Sequence, residues 1–137
     1  MKKILFSFIV AMSIFSVAFS QDKKLKVVWD VADADTATTA GVFRQVNNAL
    51  ALVPDMEIEV VFHGPAIYAM VKDSTVFAAR IISAKQRGVQ LSVCNNSMKR
   101  LKVDASQLVQ EAGVVPSAVV ELIRKQSEGW SYLKAGH

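Results

Sequence analysis

The feature that most constrains this chain is an alternation that runs almost from end to end. Short apolar runs of strand length are separated by segments of helix length. "LKVVWDV" (25–31), "EIEVVFH" (57–63), "VQLSVC" (89–94), "VVP" (114–116) and "WSYLK" (130–134) are the strand-like runs. Between the first two, Val42, Phe43, Val46, Leu50 and Val53 recur at helical spacing. Asp35 or Thr36 can cap that helix, and Pro54 ends it. "GPAIYAMVKD" (64–73) reads as a loop with one helical turn. "STVFAARIISAKQRG" (74–88) reads as a second helix with Ser74 as cap, Phe77, Ile81 and Ala84 on one face, and Gly88 as stop. "NNSMKRL" (95–101) begins another helical turn, and the Asp104-x-x-Gln107 pattern marks a capped helix start. "SAVVELIRKQSEG" (117–129) is a last helix, capped by Ser117 and closed by Gly129.

The connections are too long for hairpins and suit right-handed crossovers. Several strands lack the apolar/polar alternation of a half-wet sheet, which implies helices on both faces. The expected fold is therefore α/β: a single three-layer domain with a mainly parallel five-stranded sheet flanked by helices.

The first twenty residues stand outside that pattern. Lys2 and Lys3 precede an apolar run from Ile4 to Phe19, and small residues follow at "AFSQ". This is the anatomy of a secretory signal peptide cleaved after Ser20, leaving a domain over 21–137. The run is short for a transmembrane helix and is interrupted by Ser7, Ser13 and Ser16. Secretion across the inner membrane into the periplasm is expected, with no stable membrane insertion after cleavage. Losing Lys2 and Lys3 takes the sixteen basic residues to fourteen against twelve acidic, a net charge of +2. With no long Lys/Arg run in the remainder, nucleic acid is not an expected partner.

Export sharpens the question posed by Cys94, the chain's single cysteine. Small secreted domains often depend on disulfides, and this one can form none internally. In an open parallel sheet, ligands bind beyond the carboxyl ends of the strands. Strand one ends near Asp30 and Asp33, strand two at His63, Gly64 and Pro65, and strand three at Cys94. Asp33, His63, Gly64, Pro65 and Cys94 are thus expected on one edge, with Asn95, Asn96 and Ser97 capping the turn after the cysteine. A helix N-terminus there, with Lys99 and Arg100 within one turn, is the surrounding that stabilises a thiolate.

Against this stand simpler accounts. Free cysteine is among the most buried residue types, and a strand-end histidine commonly makes one backbone hydrogen bond. Tyr68 and Met70 fit a crevice mouth, an oligomer contact or the core, while Trp130 and Tyr132 read as packing residues of the last strand. Cys94, His63 and His137 lack metal-ligand spacing, so no metal site is expected. There is no GxGxxG, P-loop, GxSxG or CxxC, and no cofactor is implied.

The segments "VVFHGPAIYAMV", "RGVQLSVCNNSMKRL" and "GWSYLKAG", in this order, resemble the DsrE/DsrF-like proteins of sulfur metabolism. The similarity covers most of residues 25–136. It implies a compact parallel α/β domain, usually assembled as a homo-oligomer or with sister subunits. It also implies that Cys94 takes up sulfane sulfur as a persulfide, with His63 and Gly64 lining the same pocket. The partners would be sulfur donor and acceptor proteins or small sulfur compounds. The alternative is a non-catalytic oligomeric module binding a small ligand or partner, in which Cys94 is structural or redox-responsive.

Overall fold

Val28, Trp29 and Val31 are buried together because β1 (Lys26–Val31) runs between two neighbours rather than along an edge. The structure is a computed structural model and describes residues 23–136. The leader assigned to 1–20, Gln21, Asp22 and His137 lie outside the described residues.

From β1 the chain passes through α1 (Thr36–Leu52), β2 (Glu57–Phe62), a 3-10 segment (Gly64–Met70), α2 (Ala78–Gln86), β3 (Gln90–Cys94) and α3 (Asn95–Leu101). A 3-10 turn (Ala105–Gln107), β4 (Gly113–Val115), α4 (Ala118–Ser127) and β5 (Ser131–Lys134) complete it. The strands form one sheet in the order β4-β3-β2-β1-β5, and every pairing is parallel. The expectation of a mainly parallel five-stranded sheet is met.

Strand side chains alternate between faces, and the two faces are built differently. Trp29, Val31, Ile58, Val60, Phe62, Leu91 and Val93 pack against Val42, Phe43, Val46 and Leu50 of α1 and Ile81 and Ala84 of α2. The Phe43 ring lies 6.5 Å from Phe62 and 5.8 Å from Phe77, centre to centre. Each such large side chain contributes about 1.5–3 kcal/mol through burial, so this is the main core. On the other face α4 supplies the cover. Val28, Val61 and Cys94 pack there against Ala118 and Leu122 of α4 and Trp130.

The same second face carries buried charge. Glu59 of β2 and Lys125 of α4 are 1% and 6% exposed, and Glu121 is 7% exposed. Glu59 Oε2 lies 2.9 Å from Lys125 Nζ, an ion-pair distance, although no donor meets that oxygen in hydrogen-bonding geometry. Ser92 Oγ donates to Glu59 Oε1 at 2.5 Å. Lys125 Nζ also donates to Gln90 Oε1 at 3.3 Å and sits 4.0 Å from the Trp130 ring centre.

Local capping explains most helix boundaries, with three differences from the sequence reading. Asp35 caps α1, accepting from Thr38 N–H at 2.7 Å. The second helix starts at Ala78, not beside Ser74, whose hydroxyl donates instead to the carbonyls of Tyr68 and Val71. Asp104 and Gln107 do form a reciprocal capping box, but around a three-residue 3-10 turn rather than a longer helix. Ser117 precedes α4 without a side-chain capping bond. The N–H that begins α4, that of Ala118, goes instead to the Cys94 sulfur.

Candidate functional site

Cys94 is the last residue of β3 and the N-cap of α3, so its sulfur faces the free amides of that helix start. It pairs in register with Val115 of β4. The chain turns after Val115 and starts α4 beside it, which brings a second helix N-terminus to the same atom. Ala118 N–H donates to Cys94 Sγ at 3.3 Å. Cys94 is 4% exposed. Burial alone would push its thiol up. The Ser97 and Ala118 amides, the Ser97 hydroxyl and the Asn96 amide outweigh burial and hold it below the ordinary thiol value.

The pocket above the sulfur is open and holds about 290 Å³. Its walls are His63, Cys94, Asn96, Ser97, Arg100, Ser117, Ala118 and Val119, with no carboxylate among them. A larger groove of about 410 Å³ lies between α1 and α2, lined by Arg44, Arg80 and Arg87 among others, with no cysteine, histidine or carboxylate in its wall.

His63 directly follows β2 and faces the pocket one strand over from Cys94. Its Nε2 lies 2.6 Å from Asp30 Oδ1 on β1. Tyr132 of β5 donates its hydroxyl to the other oxygen of Asp30 at 2.7 Å. The bond to Asp30 raises the His63 imidazole above its ordinary value against the opposing effect of burial. The Asp30 and Cys94 charges add to the rise, and Arg100 works against it. Asp30 is correspondingly lowered, first by His63, against burial, and then by Tyr132 and Lys134. Tyr132 is pushed up to about 12 by that hydrogen bond and by partial burial. It therefore remains a proton donor to Asp30 at any ordinary pH.

Gly64 begins the 3-10 segment with φ +53°, and its N–H donates to Ser97 Oγ at 2.8 Å. A Cβ at Gly64 would sit 3.2 Å from the Ala32 carbonyl oxygen. Glycine is needed there for both its left-handed backbone and the close approach. Pro65 fixes the next residue of the turn but is itself exposed and outside the pocket wall.

Of the residues singled out in the sequence, His63, Cys94, Asn96 and Ser97 meet at this pocket, and Gly64 supports it from behind. Asn95 is half-buried in the first turn of α3, outside the pocket wall. Asp33 is exposed and lies near Gly136 instead, beyond the end of β1. The carboxylate that reaches the site is Asp30, inside the strand. Tyr132 is 40% exposed and bonded to Asp30, so it is not simply a packing residue. Met70 is fully buried in the core, and Tyr68 is exposed. Among the described residues, no group of three or more His, Cys, Asp or Glu is placed to hold a metal ion. No helix among them is long and apolar enough to cross a membrane.

A family model described as "DsrE/DsrF-like family" matches residues 11–135. The chain belongs to this family. No curated protein matches it. Solved structures match the fold. MTH1491, a protein of unknown function from Methanobacterium thermoautotrophicum, superposes with a TM-score of 0.78 at 24% identity, over 81% of this chain and 99% of its own. BT1422 from Bacteroides thetaiotaomicron, also of unknown function, gives 0.67 at 15% identity over 80% and 93%. The ychN protein from E. coli gives 0.64 at 9% identity over 81% and 97%. At these identities the likeness establishes the α/β architecture that presents Cys94, and nothing about its chemistry.

Proposed function

We propose that this protein carries sulfane sulfur as a persulfide on Cys94. The observation that supports this most is the Ala118 N–H on the Cys94 sulfur, at the meeting of two helix starts in a pocket free of carboxylates. Such a site stabilises negative charge on sulfur whether it sits on a thiolate or on the outer atom of a persulfide. Membership of a family associated with sulfur relay points the same way.

Loading is a displacement. The Cys94 thiolate attacks the terminal sulfur of a polysulfide, one S–S bond forms, and the next one breaks. The polysulfide leaves one sulfur shorter with the electron pair, so no outside oxidant is required. An acceptor thiolate then attacks the outer sulfur and releases Cys94. Incubation with polysulfide followed by intact mass measurement should show a gain of one sulfur that is absent in Cys94→Ser. No gain in the wild type, or an equal gain in the variant, refutes the carrier.

The burial of Cys94 favours a second reading, a binding module in which the cysteine is structural. Alkylation that is slow in the native protein and fast after denaturation would select it. An extracytoplasmic location and a homo-oligomer complete the proposal. The first is supported by the leader-like start of the sequence. The second is supported by Val119, Val120 and Ile123, which are 64%, 63% and 61% exposed along α4 beside the pocket. Cell fractionation and light scattering should find the protein in the periplasm and larger than one chain. Recovery in the cytoplasm, or as a monomer, removes that part.

A further inference from the structure

We propose that Asp30, braced by Tyr132, is a positioning residue that acts on Cys94 through His63, holding the imidazole as the proton partner of the thiol. The inference rests on the reading of Cys94 as a nucleophile, and deepens it.

The geometry comes from four adjacent strands. Cys94 ends β3, His63 follows β2, Asp30 lies in β1 and Tyr132 in β5, in the sheet order β3-β2-β1-β5. Two hydrogen bonds run along this row, Tyr132 hydroxyl to Asp30 at 2.7 Å and His63 Nε2 to Asp30 at 2.6 Å. Both oxygens of Asp30 are thereby engaged. With Nε2 committed to Asp30, Nδ1 is the ring nitrogen without a partner among the described residues, and it is the one free to exchange a proton with Cys94.

The charges facing the imidazole come from three elements. Asp30 and the ionised Cys94 favour the imidazolium, and Arg100 of α3 opposes it. From α4 and the turn before it come Ser117, Ala118 and Val119, none of them charged. Asp30 itself is faced by Tyr132 and Lys134 of β5. A carboxylate in direct hydrogen-bond contact outweighs an exposed guanidinium screened by solvent, so the balance beside the sulfur favours the protonated ring. The balance is simple: the proton that leaves Cys94 Sγ is held on His63, and Asp30 accepts the hydrogen bond from Nε2 without taking the proton.

The test is the rate of Cys94 alkylation by iodoacetamide as a function of pH. Asp30→Asn should slow it about tenfold near neutral pH, equivalent to one pKa unit, and leave the rate at high pH unchanged, where the thiol is ionised regardless. Asp30→Glu should restore part of the loss, and Tyr132→Phe should show a smaller slowing of the same form. An Asp30→Asn profile that superimposes on the wild type overturns the proposal. A second measurement needs no variant: the His63 ring titration followed by NMR should fall once Cys94 is carboxamidomethylated, and an unmoved titration equally overturns it. Sulfur loading is read separately by mass. A chain that accepts no sulfur yet shows these shifts loses the carrier function and keeps the coupled pair, and the converse outcome keeps the carrier alone.

Discussion

Lys125→Met is expected to destabilise the fold by about 3–5 kcal/mol, the cost of leaving a buried charge without its partner. Lys125 is the cation within reach of Glu59, 2.9 Å away across the interface between α4 and the sheet. Its ammonium also lies 4.0 Å from the Trp130 ring and 4.0 Å from Glu121. Methionine fills a similar volume but supplies no charge, so Glu59, 1% exposed, keeps the Ser92 hydroxyl and the neighbouring Glu121 carboxyl but no cationic partner among the described residues. The double variant Glu59→Gln with Lys125→Met should lie well above the single one, because an amide and a thioether remove both halves of the pair. Urea unfolding monitored by circular dichroism checks both. A single variant within about 1 kcal/mol of wild type would show that water reaches the pair and that burial does not govern it. Lys24, exposed and 3.3 Å from the exposed Glu57, provides the contrast: its replacement should be worth no more than a surface ion pair, about 0–1 kcal/mol.

This ionic layer shows where sequence reading succeeds and where it stops. The alternation of apolar runs with helical spacing gives the parallel sheet, because both signals are local. "EIEVVFH" and "VQLSVC" show their strand character in their β-branched residues. Which face Glu59 and Ser92 occupy, and that Lys125 of a helix far along the chain meets them, depends on packing that no local pattern encodes. Asp33 and Asp30 make the same point at the site. Reading strand ends favours Asp33, which lies past the strand and is exposed. Asp30, the one charge within "VVWDV", shares a sheet face with Val28, and strand parity was the signal that could have selected it. A carboxylate inside an otherwise buried strand needs a partner, and His63 and Tyr132 provide two. Ser117 is a comparable case. Its residue type suits a helix cap accepting from the second or third amide of α4, yet it makes no such bond, and the first amide, Ala118 N–H, is taken up by the Cys94 sulfur. That contact follows from the register of β3 with β4 and is invisible to local sequence.

Gly64→Ala is expected to cost about 1–3 kcal/mol and to slow Cys94 alkylation at neutral pH. Two effects combine at this residue. Its φ of +53° is left-handed, and any Cβ would stand 3.2 Å from the Ala32 carbonyl oxygen. Relief of either displaces the Gly64 N–H, which donates to Ser97 Oγ. Ser97 supplies both an amide and a hydroxyl that favour the Cys94 thiolate. With its oxygen engaged by Gly64, that hydroxyl is directed to give its proton to sulfur, so the disturbance reaches the thiol through one intervening side chain. Because these contacts lower the thiol, their stabilisation of the thiolate is lost as pH falls through its folded value; the thiolate fractions of variant and wild type should differ most just above that value and converge at high pH, where both thiols are ionised. Gly64→Asn separates the two causes. Asparagine tolerates the left-handed backbone better than alanine but carries the same Cβ. An asparagine variant clearly more stable than the alanine one assigns the cost to torsion, and equal losses assign it to the Ala32 contact. An alanine variant with wild-type stability and alkylation would mean that Ser97 holds its position without Gly64. The thiol would then owe its state to the two helix starts alone.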